Sequence, residues 1–318
     1  METLQRQCRN GTCVRVAVLG GLTAAMLCAV LDRPAGAEGV PISHQWYRAA
    51  YNAGDTVRVT QDHYTHTPPN KIDMIGVPEG GYHRIRAAAP GIVRVAIDVN
   101  SECCSDTFTS GVSACAGCNN FVWIEHPNGE WTKYTHFMQD SVFVDSGDCV
   151  SAGTLLGIEG DVGHTSGGAS WDRPADPCYD PSDTTVVVNG NQCGIHLHFE
   201  VLYDRLGPDP QLRIPLVCGS ATGFYVKSDT LIAGSCGSFS CSADILMPVS
   251  AVAGNLVRVV QASNSISANG YEVLDDASVA FIAGNKITLS PGFHVERGAY
   301  FHGWIDDCNG QVSGCPSP

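Results

Sequence analysis

Charge is scarce in this chain of 318 residues, and basic charge scarcest of all. Asp, Glu, Lys and Arg make up 16% of it, with 18 Lys and Arg against 32 Asp and Glu, a net charge of −14. That deficit argues against nucleic acid or an anionic membrane as a partner, since both are held through clustered Lys and Arg. So few charged residues, set beside 35 Gly and 17 Pro, also argue against a helical protein and for a turn-rich, mostly β one. Long apolar runs are rare as well. The one near the start follows Arg6, Arg9 and Arg15, spans Val16 to Val30 and ends on Ala35-Gly36-Ala37. A basic head, a short apolar run and small residues are the pattern of a secretory signal peptide, expected to be cut after Ala37. The run is short for a retained anchor, and Cys28 has no small residue before it, against a lipoprotein. No membrane span is therefore expected once residues 1–37 are gone, and a secreted, extracellular or periplasmic location follows.

Losing Arg6, Arg9, Arg15 and Arg33 with Glu2 and Asp32 leaves 14 basic and 30 acidic residues, a net charge of −16. Of 15 cysteines, Cys8, Cys13 and Cys28 leave with the segment and 12 remain. An even count in an exported chain reads as disulfides. Cys103, Cys104, Cys115 and Cys118 crowd a Gly/Ser-rich insertion; half a zinc knuckle at Cys115 and Cys118 is the alternative there. Nearest-neighbour pairing suggests Cys236–Cys241 and Cys308–Cys315, although spacing does not fix connectivity.

The pattern is one of short strands. Ile85 to Val99 predicts two, broken at Pro90-Gly91; Asn120 to His126 and Trp131 to Phe137 predict a hairpin around Pro127-Asn128-Gly129. Residues 160–192, rich in Asp, Pro and Gly, read as a loop. The stretch Cys193-Gly194-Ile195-His196-Leu197-His198-Phe199-Glu200-Val201 then alternates as a half-buried strand. Residues two apart share a face, so His196 and His198 project together while Ile195, Leu197 and Phe199 face a core. Two neutral imidazoles side by side suit a divalent metal, zinc above all; a surface pair on an edge strand is the plain alternative.

The order AAAPGIVRVA, NFVWIEHPNGEWTKYTHF, VFVDSGDCVSAGTLLGIEGDVGHTSG, GIHLHFEV resembles the lysostaphin-type (LytM-type) zinc metallopeptidases over roughly residues 60–203. The Tyr-x-His at 134–136, the Gly-Asp-x-Val-x-x-Gly at 147–153 and HLHFE stand in the family's order. The resemblance implies an antiparallel β-sheet core with long disulfide-rich loops and a Zn²⁺ in a groove across it. It implies metal ligation by His198 and by Asp73, and catalytic roles for His136 and His196. The family's first His stands four positions before the Asp, where this chain has Pro69. His66 is the nearest replacement, with His63 and His83 behind it, because ligands must converge in space rather than in spacing. Glu200 shares the face of His198 and fits a partner that orients a ligand imidazole. His126 reads as structural, and His164 as a possible groove residue.

After Cys218 the composition changes. Residues 219–244 read as a linker, and 245–318 as a small all-β C-terminal module of closely spaced strands with Ala-Gly and Pro-Gly turns. Residues 245–308 resemble small stacked-β (three-coathanger) modules, which imply no chemistry. The expected division is a signal peptide at 1–37, a peptidase domain at 38–218, the linker and the module. The expected function is a monomeric, secreted zinc metalloendopeptidase cutting peptidoglycan cross-bridges or other glycine-rich extracellular peptides. The alternative is a degenerate relative that binds wall peptide or activates another hydrolase; the displaced first histidine favours it.

Overall fold

The computed structural model describes residues 40–79, 82–100, 119–164, 195–207, 210–220, 223–234, 242–254 and 256–305, with short pieces at 8–9, 12–13, 103–104 and 236. The signal segment beyond those pieces, Cys115, Cys118, Cys241, Cys308 and Cys315 lie outside the described residues. Two units are distinguished, Met1–Gly36 and Ala37–Pro318. Within the first, Cys8–Arg9 pairs with Thr12–Cys13. Everything below concerns the second.

Its described residues contain no α-helix, and none long and apolar enough to cross a membrane. Besides a two-residue parallel pair, Cys103–Cys104 with Gly163–His164, the described residues of the first part form twelve strands: β1 (Ile42–Tyr47), β2 (Thr56–Gln61), β3 (Ile72–Val77), β4 (Arg84–Arg86), β5 (Gly91–Ile97), β6 (Phe121–Glu125), β7 (Glu130–Thr135), β8 (Cys149–Val150), β9 (Leu155–Ile158), β10 (Leu197–Tyr203), β11 (Gln211–Val217) and β12 (Thr230–Ile232). Ten of them make one sheet in the order β8-β5-β6-β7-β10-β3-β2-β12, with β11 also paired to β10 and β1 to β11. All its pairings are antiparallel except β1 with β11. The short β4–β9 pair packs beside it. The period-2 alternation explains the layering. Ile72 and Met74, Val122 and Ile124, Tyr134, and Leu197, Phe199 and Val201 all point into one core with Tyr47 and Tyr51.

Residues 244–305 build a different object. Nine strands stack as three parallel sheets: Asp244–Met247, Ser265–Ala268 and Lys286–Leu289; Ser250–Val252, Tyr271–Val273 and His294–Val295; Val257–Ala262, Ser278–Ala283 and Tyr300–Ile305. Asp244 stands against Ser265, and Ser265 against Lys286, so a rung climbs 21 residues. The Ala-Gly and Pro-Gly turns are therefore corners of a coil, not hairpin tips. Its interior holds Ile266, Tyr271, Val279 and Phe281.

The structure corrects the expected Cys236–Cys241 bridge: Cys236 is bonded to Cys218, with Cα atoms 5.2 Å apart. Cys218 directly follows β11, and β12 carries the chain back along β2 before Cys236. Neighbours in space were not the nearest in sequence. Cys149 is also in a disulfide.

Candidate metal centre

Asp73 on β3 and His198 on β10 are direct cross-strand partners. Their side chains lie on the face of the sheet away from the Phe199–Tyr134 core. Asp73 Oδ1 is 2.9 Å from His198 Nδ1 and 3.7 Å from His196 Nε2, and Asp73 Oδ2 is 3.5 Å from His66 Nε2. One ligand atom from each of His66, Asp73 and His198 falls within 4.8 Å of the others. His66 arrives from the loop between β2 and β3, which Asp62 braces by accepting the N–H groups of Tyr64 and Thr65 and the hydroxyl of Thr65. His196 immediately precedes β10, its N–H directed to the carbonyl of Gly160 at 3.2 Å.

The outer nitrogen of each imidazole is committed. His66 Nδ1 is 2.7 Å from the carbonyl of Pro68, which can only accept, so that nitrogen carries the proton and Nε2 faces Asp73 with its lone pair. His198 Nε2 is 2.7 Å from Glu200 Oε1, leaving Nδ1 toward Asp73. Imidazoles fixed from outside by a carbonyl or carboxylate are the usual build of a metal site. Two inward nitrogens and a carboxylate make a His, Asp, His donor set that suits zinc and supplies three of the four ligands it usually takes.

His136 lies just past β7 with φ of 72°, left-handed for a residue with a Cβ. Its N–H bonds to the carbonyl of Asn120, and its ring is 4.6 Å from His196 and 5.8 Å from His198, centroid to centroid. Nδ1 meets the carbonyl of Val162 at 2.8 Å, so Nδ1–H donates and Nε2 is the free base. Gly160 allows this approach, because a Cβ there would strike the backbone of Met138.

Electrostatics follow from burial and company. Burial alone would raise the pKa of Asp73, but His196, His198 and His66 together hold it well below the carboxylate range. His136 is driven far below the usual imidazole value, first by burial and then by His196 and His198. Burial lowers His66, against the pull of Asp73. Burial would lower His198 too, yet its bonds to Asp73 and Glu200 raise it. Glu200 is held low against burial by His198, Lys133 and Lys71.

Of the other histidines, His63 turns inward against Tyr64, ring centroids 4.0 Å apart, and burial lowers it to about 4. His83 bonds to the carbonyl of Pro78 and lies against Gly76. His126 is buried between the carbonyl of Pro90 and the hydroxyl of Thr132. None of these three joins the cluster. The backbone of His164 pairs with Cys104; its side chain lies outside the described residues. Missed from the sequence were Lys71 and Lys133, 3.1 and 3.8 Å from Glu200 Oε1. Lys133 had a readable signal, since it alternates with Thr135 on the face paired to His198 and Glu200.

No family model and no curated protein matches this chain. Solved structures do. A zinc-containing peptidase of Vibrio cholerae is 20% identical with a TM-score of 0.26, over 56% of this chain and 39% of that one. The catalytic domain of a prophage-encoded M23 protein of Enterococcus faecalis, in a mutant form, is 21% identical with a TM-score of 0.30, over 52% and 92%. The catalytic domain of lysostaphin from Staphylococcus simulans is 14% identical with a TM-score of 0.25, over 52% and 84%. Matches reach less than half the length of three such structures, the Vibrio one included. In the order of its motifs and in its antiparallel core sheet, the chain resembles the lysostaphin-type (LytM-type) zinc metallopeptidases.

Proposed function

We propose that this chain is a secreted zinc metalloendopeptidase that cuts peptidoglycan cross-bridges or other glycine-rich peptides. The observation that carries this reading is the convergence of His66, Asp73 and His198, each imidazole tied from outside and its other nitrogen turned inward. Zinc held there would supply a Lewis acid and a water of lowered pKa. His136, neutral and with Nε2 free, accepts the proton of the attacking water and returns it to the leaving amine. His196, beside it and facing Asp73, steadies negative charge on the former carbonyl oxygen. Secretion rests on the basic-apolar-small pattern of residues 1–37.

The test is metal analysis of the mature protein combined with release of amines from purified cross-linked wall. About one zinc per chain is expected, with release that stops on chelation and returns with zinc. Protein that takes up no zinc, or binds zinc and never releases amines from wall or glycine-rich peptides, would sink the reading; the second result would favour a binding protein.

A further inference from the structure

The sheet face that holds the metal cluster continues into a row of cations and rings. Thr135, Lys133 and Trp131 alternate along β7 on this face, opposite His198, Glu200 and Leu202 of β10 and opposite Phe121, Trp123 and Glu125 of β6. Lys133 Nζ is 5.4 Å from the ring centre of Trp123 and 5.7 Å from that of Phe121. Arg205, two residues past β10, lays its guanidinium 4.4 Å from the ring centre of Trp123 and 5.2 Å from that of Trp131. Both indoles are buried, while Arg205 stays partly exposed.

No hydrogen bond or ion pair ties Arg205 to another described residue. The carboxylate next to it in sequence, Asp204, lies over Gly207 instead. Glu125 is taken by Arg94, and Glu200 by His198, Lys71 and Lys133. Lys71 and Lys133 thus share one carboxylate and Arg205 stands beside Lys133 with none, in a chain whose net charge is −14. A planar, always charged fork held in the corner between two indoles whose planes meet at 74° is restricted before a ligand arrives, which lowers the ordering cost of binding.

We propose that Arg205 is a specificity-determining residue that receives a carboxylate of the bound peptide. The proposal rests on the peptidase reading for what the peptide is doing there. Guanidinium matches carboxylate through two parallel N–H···O bonds. The separation follows from the strand: Lys133, which faces Trp123, and Trp131 stand two and four residues along β7 from Thr135, which faces His198. At about 3.3 Å per residue this is roughly 7 to 13 Å, the reach of an extended peptide of about two to four residues. The favoured substrate carries an acidic side chain or free carboxylate about two to four residues from the bond that is cut.

Glycine-rich peptides bearing either Glu or Gln at that separation, on each side of the central bond, test this. Two quantities are read on the full mature chain: peptide affinity of the chelated protein, from tryptophan fluorescence, and kcat/KM of the zinc-loaded protein. Wild type should favour the Glu peptide about tenfold in affinity, and in kcat/KM where it cleaves. Arg205→Gln should lose that preference while keeping its values for the Gln peptide, and Arg205→Lys, which lacks the fork, should recover part of it. Equal affinity of wild type for the two peptides, or a preference that survives Arg205→Gln, overturns the subsite and leaves Arg205 a cover for its two indoles. Cleavage without preference overturns the subsite and leaves the peptidase standing. Arg205-dependent preference in binding without any cleavage does the reverse.

Discussion

His198 and Asp73 face each other across neighbouring antiparallel strands, Nδ1 to Oδ1 at 2.9 Å, so two of the three candidate ligands are fixed by sheet register itself. The third, His66, hangs from a loop. A one-residue slip of β10 against β3 would turn His198 into the core, and the hydrophobic set Leu197, Phe199 and Val201 prevents it.

Outside that pair, Glu200 sets which nitrogen of His198 faces inward. Glu200→Gln removes the charge yet keeps a side chain of the same shape. Zinc affinity, measured by chelator competition, should fall about 10- to 100-fold. Wild-type affinity in Glu200→Gln would show that the 2.7 Å contact does not orient the ligand.

His136→Ala would mix a backbone effect into a test of chemistry, because φ of 72° disfavours most side chains. His136→Asn is cleaner, since Asn tolerates that region and cannot take a proton. It should keep zinc and thermal stability while kcat falls on the order of 10²- to 10⁴-fold. A variant as active as wild type would remove His136 from the reaction.

Much of this arrangement is legible in the sequence because strand alternation is local. HLHFE places His198 and Glu200 on one face and Leu197 and Phe199 on the other without any tertiary knowledge, and the hairpin at Pro127-Asn128-Gly129 is equally plain. What fixes the rings is not. His66 and His63 are three residues apart in one loop, and only the fold shows one ring turned to Asp73 and the other to Tyr64. The carbonyls of Pro68 and Val162 hold His66 and His136, and a backbone group has no letter to read. The coil of residues 244–305 hides for another reason. Its pairing partners are 21 or 22 residues apart, and short alternating strands fit hairpins just as well.

The coil and the main sheet share a cluster. Ile42, Ile214, Leu216 and Phe224 pack with Ala280 and Ile282, and the His44 ring meets those of His302 and Trp304 at a tilt, centroids 4.9 and 5.6 Å away. β12, within the segment that reads as a linker, pairs with β2 of the main sheet. Ile282→Ala opens a cavity in that cluster and should cost about 2–5 kcal/mol of a single cooperative transition. Calorimetry decides it: two transitions, only one of them moved by the substitution, would show that the parts unfold independently.

Glu159 gives the chain a pH dependence of known sign. It is buried, and its Oε1 is 2.6 Å from the hydroxyl of Tyr51, which also lies 2.9 Å from the carbonyl of Met74. One hydroxyl proton cannot serve both. With Glu159 protonated, Tyr51 donates to Met74 and Glu159 donates to Tyr51, and every group is satisfied. Burial raises the pKa from 4.5 to about 7, against the lowering contacts of Tyr51 and His83. The unfolded chain releases this proton near 4.5 and the folded chain holds it to about 7. Between those values the folded state binds more protons, so stability falls as pH rises. The contribution is fully present below about 4.5 and gone above about 7. A shift of this size corresponds to on the order of 3 kcal/mol. Glu159→Gln, neutral at every pH, should gain on wild type by that amount between about pH 4.5 and 7 and keep a constant lead above it. Urea unfolding of the two proteins across this range checks the point, and parallel stability curves would mean that Glu159 is ionised in the folded protein.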